Sequence, residues 1–193
     1  MKGEFYLSED ITKKKSAYGF IIDWGVPILI AVVLALLIRQ FVFFKVKIPS
    51  TSMVPTLNVN DQLIATRVYN LDNLKRGDII VFNFTPEDKL YIKRLIGLPG
   101  DHIEIKNNVD VYVNGEKLED EYVKNPDPYI ENAPVSTYDV PEGKYFFLGD
   151  NRAVSFDSRR WDAKYGITYI DGSEIKGKAQ IKVYPFSEFG SIK

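Results

Sequence analysis

Tyr91 to Ile96 reads Y-I-K-R-L-I and Ile79 to Phe84 reads I-I-V-F-N-F, and these two short apolar runs decide the fold class. Each has strand length and is rich in β-branched and aromatic residues, and neither is long enough to establish a helical period. Outward from them the same grammar repeats. Ile103 to Lys106 and Val109 to Val113 are strand candidates, the second closed by Asn114-Gly115, a dipeptide that favours a tight hairpin turn. Tyr145 to Leu148, Ile167 to Ile170 and Ala179 to Tyr184 complete the set, and Pro126, Pro128, Pro134 and Pro141 break the stretch between into a loop-rich excursion. The expected architecture is mainly β: an antiparallel sheet or barrel-like domain over residues 45–193, with a small inserted β subdomain over 104–143. No helical period is expected within that domain.

The 193 residues are 45% apolar and 26% charged with a net charge of -1, a balance that predicts a folded chain and no electrostatic footprint for nucleic acid. There is no cysteine, which removes disulfides, thiolate metal sites and a Cys nucleophile. There is one histidine, His102, so a metal site built on several imidazoles is excluded and a Ser-His-Asp triad depends on that single ring. No metal or other cofactor is expected.

Before the β region, residues 1–19 are polar and carry Lys13, Lys14 and Lys15 in a row. Trp24 to Ile38 is uncharged, and the apolar character continues to Phe44 if Arg39 snorkels outward, about the 20 residues that a membrane-spanning helix needs. A transmembrane anchor is expected over residues 20–44, with Trp24 at one end and Phe41, Phe43 and Phe44 at the other as interfacial anchors. A cleaved signal peptide is the alternative, but no small-x-small site followed by polar chain is present. Lys2 and the lysine row oppose Arg39, Lys45 and Lys47 across the span, so charge alone does not orient it.

Pro49 to Leu57, P-S-T-S-M-V-P-T-L, follows the apolar span and groups the hydroxyls of Ser50, Thr51 and Ser52 between prolines that favour extended backbone. The partner for those hydroxyls lies in Y-I-K-R-L-I. Strand alternation puts Tyr91, Lys93 and Leu95 on one face and Ile92, Arg94 and Ile96 on the other, so one of the two cations points inward. A desolvated ammonium loses its preference for the charged form, which lets a neutral amine take a proton from a serine hydroxyl. Periodicity alone leaves open that Lys93 reaches solvent from an edge strand. The third cluster is G-D-N-R-A-V-S-F-D-S-R from Gly149 to Arg159, where a buried Asp157 is placed to pair with Arg159 and stiffen a loop.

Four segments in order resemble the sequence boxes of type I signal peptidases, the S26 serine proteases: P-S-T-S-M-V-P-T-L, R-G-D-I-I-V-F from Arg76 to Phe82, Y-I-K-R-L-I-G-L-P-G-D from Tyr91 to Asp101, and G-D-N-R-A-V-S-F-D-S-R. P-F-S-E-F from Pro185 to Phe189 adds a weaker similarity, and the single anchor with its short insertion resembles the Gram-positive bacterial form. The resemblance implies Ser52 as nucleophile and Lys93 as general base. It further implies an oxyanion hole from the Ser52 N–H and the Ser50 hydroxyl, a hydrogen bond from Ser155 to the lysine amine, and a supporting Asp157–Arg159 pair with Asp150 and Arg152 beside it. Substrate pockets for small side chains map to Val46, Ile48, Met53, Leu57, Leu63, Val81, Tyr91 and Ile92.

The implied activity is removal of N-terminal signal peptides from secreted preproteins with small residues at the positions one and three before the cut. The implied partners are those signal peptides, membrane lipid and a nearby secretion translocon. The implied location is the plasma membrane, crossed once, with the N-terminus cytoplasmic and the peptidase domain outside, close to the bilayer surface. Two departures stand out. R-W-D-A-K-Y-G after Arg159 is longer than the family's short link to glycine, and His102 has no family role and reads as an exposed turn residue. A self-cleaving Ser-Lys repressor-type protease would share much of the β fold, but as a soluble protein with a DNA-binding segment. A non-catalytic, membrane-tethered binding module would be expected to have lost Ser52 or Lys93.

Overall fold

The computed structural model describes residues 21–119, 121–123 and 126–192. The lysine row at Lys13 to Lys15 lies outside the described residues. A π-helical turn, Ile21–Gly25, leads into helix α1, Val26–Phe41. Together Ile22–Phe41 forms a 20-residue stretch long and apolar enough to cross a membrane, and at 1.5 Å per residue it spans about 30 Å. The helix stops three residues short of the expected Phe44. Val42 to Lys47 alternates apolar side chains with Lys45 and Lys47, a strand pattern, and Phe43–Lys47 forms β1.

The chain from Val42 onward forms its own compact unit. Its larger sheet uses β1, β2 (Gln62–Arg67), β3 (Ile79–Phe84), β4 (Lys89–Gly97), β9 (Lys144–Leu148), β10 (Ile170–Asp171), β11 (Ile175–Tyr184) and β12 (Gly190–Ser191). Their order is β1-β2-β11-β3-β4-β9-β10, with β12 added to β11, and every pairing is antiparallel. The smaller sheet, β7-β6-β5-β8, is made of β5 (His102–Lys106), β6 (Asp110–Val113), β7 (Glu116–Lys117) and β8 (Ser136–Asp139). Asn114 and Gly115 both take positive φ, 55° and 86°, and turn β6 into β7. The proline-rich excursion is not all loop, because β8 returns from it to pair with β5. Of the strand expected at Ile167 to Ile170 only its last residue is extended into a pair with β9.

The core is three apolar clusters, and β4 contributes to each. Leu95 joins the aromatic cluster of Phe82, Phe84, Phe147 and Trp161, where Phe82 and Phe147 stack at 4.6 Å. Ile92 joins the cluster of Ile48, Met53, Leu57, Leu63 and Val81, and Ile96 joins that of Ile103, Val113, Phe146 and Leu148. Each fully buried side chain of this size contributes about 1.5–3 kcal/mol. Because both faces of β4 are covered, alternation does not separate an inner from an outer cation. Lys93 and Arg94 are both buried, 5% and 3% exposed, where one of the two was expected inside.

Helix α2, Ser158–Tyr165, is the element that strand patterning did not anticipate. Asp157 caps its start by accepting from the Arg159 N–H, and Gly166 ends it in the left-handed region at φ 67°. Trp161 is its buried anchor, packed on Phe84 at 4.9 Å. This helix accounts for the longer segment after Arg159.

Candidate active site

Three pieces of chain converge on Ser52. The first is its own loop, which is coiled rather than extended as its prolines suggested: Val54 N–H donates to the Thr51 carbonyl at 3.1 Å and Leu57 N–H to the Met53 carbonyl at 2.9 Å. Met53 and Leu57 are fully buried and pin this loop to the core. Its return is fixed by Asn60 N–H donating to the Ile48 carbonyl at 2.8 Å and by Asp61, whose carboxylate accepts from the Asn58 N–H at 2.8 Å and from Lys182 at 2.7 Å.

The second piece is β4. It holds Lys93 opposite Ile80 on β3 and aims Nζ at Ser52 Oγ, 2.6 Å away. Burial lowers the Lys93 pKa from 10.5 to about 8, while the carboxylates of Asp157 and Asp150 pull in the opposite direction. The amine therefore becomes neutral as pH rises through about 8, far below the ordinary lysine range, and the neutral form is what proton abstraction from a hydroxyl requires. Ser50 Oγ lies 3.4 Å from Ser52 Oγ.

The third piece is the loop from Gly149 to Asp157. A Cβ on Gly149 would stand 2.5 Å from the Ser52 carbonyl oxygen and 2.3 Å from Ser155 Oγ, so only glycine lets this loop lie against the serine. Asn151 completes the contact: its N–H donates to the Ser52 carbonyl and its Nδ2 to the Thr51 carbonyl, both at 3.1 Å. Nothing in the residue pattern beyond the G-D-N-R turn marked Asn151 for this position.

Two buried ion pairs stiffen the surroundings. Asp157 accepts from Arg159 Nε at 2.8 Å and Nη2 at 2.9 Å, and from the Gly149 N–H at 3.0 Å. Burial pushes its pKa up, but Arg159, the Gly149 N–H and nearby Ser155 outweigh that and leave it below the ordinary carboxylate value. Arg159 also pairs with Asp127, which Arg160 reaches at 2.8 Å. The second pair is Asp150 with Arg94, bidentate at 2.8 and 2.6 Å, with Thr56 Oγ1 donating to the same carboxylate at 2.6 Å. Arg94, which strand alternation placed on the face opposite Lys93, thus ties β4 to the third loop while Thr56 ties the nucleophile loop to it.

Ser155 differs from expectation. Its Oγ is buried and does not bond the Lys93 amine among the described residues. The hydroxyl packs over Gly149 and beside Asp157 instead. Arg152 Nε donates to the Gly149 carbonyl at 3.2 Å. His102 is exposed and pairs with Asp139 at 2.6 Å.

A cleft of about 330 Å³ opens beside Ser52 and Lys93, between Pro49 to Ser52 on one wall and Tyr91 to Lys93 on the other, with Glu87, Leu90, Val154 and Phe156 at its margins. A neighbouring hollow of about 170 Å³ is lined by Val46, Val81, Tyr91 and Ile92 among others. Those four of the eight mapped pocket residues line the hollow, Val81 and Ile92 from buried positions. Ile48, Met53, Leu57 and Leu63 line neither space and are packed in the core behind them. Glu87 accepts from Tyr165 on α2 and from Tyr91 at 3.1 Å, and these bonds, Tyr165 first, lower its pKa to about 2. No cluster of His, Asp or Glu fit to hold a metal occurs among the described residues.

The family description "signal peptidase, peptidase S26" matches residues 21–184. The chain belongs to the S26 signal peptidases. Signal peptidase I of Bacillus licheniformis is 40% identical over 187 residues, covering 93% of this chain and 96% of the relative. Signal peptidase I T of Bacillus subtilis strain 168 is 38% identical over 193 residues, covering 96% of each. A crystal structure of a signal peptidase I from Enterococcus faecalis V583 superposes with a TM-score of 0.46 and 30% identity, covering 56% of this chain and 98% of that one. The chain is thus a serine peptidase of the bacterial type I signal peptidase kind, mainly β and antiparallel, with one N-terminal apolar helix consistent with membrane association.

Proposed function

We propose that this peptidase removes N-terminal signal peptides from secreted preproteins, with Ser52 as nucleophile and Lys93 as general base. The observation that carries this reading is the 2.6 Å approach of Lys93 Nζ to Ser52 Oγ at the edge of an open cleft. Neutral Lys93 takes the Ser52 proton as Oγ attacks the scissile carbonyl carbon, and the oxyanion is met by the Ser52 N–H and the Ser50 hydroxyl. The protonated amine then donates to the leaving amine as the C–N bond breaks. Water, activated by the same lysine, hydrolyses the acyl-enzyme ester and frees Ser52.

Asp157 with Arg159 and Asp150 with Arg94 hold the two loops in register with β4, and Ser155 fills the space beneath Gly149. The substrate enters as an extended strand along Tyr91 and Ile92, its small side chains turned toward the hollow at Val46 and Val81. The chain crosses the plasma membrane once, N-terminus inside, so that the site meets preproteins as they leave the translocon. The test is release of mature protein from a preprotein by the purified chain in detergent. Ser52→Ala and Lys93→Met abolish it on this reading, and wild-type rates from either variant would refute the dyad.

A further inference from the structure

We infer that Asn151 is a positioning residue for the oxyanion donor, acting on the peptide groups on both sides of Ser52. The inference rests on Ser52 being the nucleophile. The Thr51 carbonyl, which accepts from Asn151 Nδ2 at 3.1 Å, shares one peptide unit with the Ser52 N–H. That unit is not among the cis bonds of the chain, and in a planar trans peptide the C=O and N–H point in opposite directions. A donor fastened to the carbonyl from the Gly149–Asp157 loop therefore turns the Ser52 N–H away from that loop. Among the described residues no acceptor takes this N–H, which leaves it available to a developing oxyanion.

The second contact closes the constraint. Asn151 N–H donates to the Ser52 carbonyl, 3.1 Å away, which belongs to the following peptide unit. With both flanking peptides held by one residue, the two backbone torsions of Ser52 are fixed, and so is the direction of its N–H relative to the Cα–Cβ bond, while the bond to Lys93 holds Oγ. The amide bond to Thr51 also polarises the peptide and makes the Ser52 N–H a stronger donor. A donor set in place before reaction needs no reorganisation as charge develops, which is where such groups contribute most. Asn suits this position because Asp would present only acceptors to the Thr51 carbonyl.

The test uses the full chain in detergent with Asn151→Ala and Asn151→Asp, both of which keep the backbone bond to the Ser52 carbonyl. Loss of the amide lowers kcat by about 10- to 100-fold, less than removal of an oxyanion donor itself, and leaves KM within about two-fold. The specific readout is a signal-peptide aldehyde beside the matching alcohol. The aldehyde carbon accepts Ser52 Oγ, the proton passes to Lys93, and the resulting hemiacetal oxyanion occupies the hole, whereas the alcohol forms no adduct. Aldehyde affinity falls in parallel with kcat/KM and alcohol affinity does not. Wild-type kcat in Asn151→Ala, or equal loss for both ligands, overturns the inference. Ser52→Ala separates the two levels: if it still cleaves, the nucleophile reading fails and the inference with it, and if it is inert while Asn151→Ala runs at full rate, only the inference fails.

Discussion

Lys93 and Arg94 are adjacent on β4 and both buried, yet they carry opposite duties: Arg94 is paired in bidentate fashion by the Asp150 carboxylate, while Lys93 has no carboxylate in contact among the described residues and reaches the Ser52 hydroxyl at 2.6 Å. One cation is stabilised in its charged form. The other is held where charge is costly, which is the condition for a base.

That cost makes Lys93 a liability for stability. Its folded-state pKa of about 8 lies below the ordinary 10.5, so the unfolded chain binds more protons between those values and stability rises with pH through that window. Below pH 8 the lysine is protonated in both states and its whole penalty applies. Lys93→Met removes the penalty, and at pH 7 it is expected to be more stable than the wild type by about 1–3 kcal/mol, the range set by the shift less the lost hydrogen bond. Thermal unfolding in detergent at pH 7 and pH 10 checks this, with the advantage shrinking at the higher pH. A variant less stable than wild type at pH 7 would mean that Lys93 is not desolvated.

Asp150→Ala strips the partner from a buried guanidinium and is expected to cost about 3–5 kcal/mol. Asp150 also receives Thr56, so part of the loss falls on the nucleophile loop. Denaturant unfolding measures it, and a change under about 1 kcal/mol would show the pair to be solvated in solution.

Gly149→Ala places a methyl 2.5 Å from the Ser52 carbonyl oxygen, a backbone atom that cannot swing aside. The two loops must part, which is expected to cost about 1–3 kcal/mol and to reduce kcat more than KM. Steady-state kinetics with unfolding measurements would decide. Unchanged activity would mean that the loop contact is dispensable.

The strand content of the fold was legible because buried β runs are short and apolar, and Asn114-Gly115 marked its turn by chemistry alone. Helix α2 was not, since its 8 residues bury only Ser158 and Trp161 and give too short a period to detect. Its capping Asp157 and terminating Gly166 were signals that the longer segment after Arg159 concealed. The Ser52–Lys93 pairing rested on resemblance, because a contact across 41 residues leaves no local trace. The burial of Arg94 was missed because alternation assumes a sheet with one wet face, and β4 is covered on both. Ile48, Met53, Leu57 and Leu63 show the reverse limit: an apolar residue beside a site reads the same whether it lines the pocket or supports it.

Membrane orientation has a clean assay, because the chain contains no cysteine. A single Cys at exposed Tyr69 is expected to react with a membrane-impermeant maleimide on intact cells. Labelling only after lysis would place the peptidase domain inside and refute the proposed topology.

The most direct measurement of the dyad is the pH dependence of kcat/KM on a preprotein. With Lys93 acting as the neutral base, activity falls as pH drops through about 8, following the pKa that burial sets. Asp157→Asn removes a carboxylate that favours the protonated amine and moves the break lower. Full activity at pH 5, or a pH break that disappears in His102→Ala, would contradict the account and name a different base.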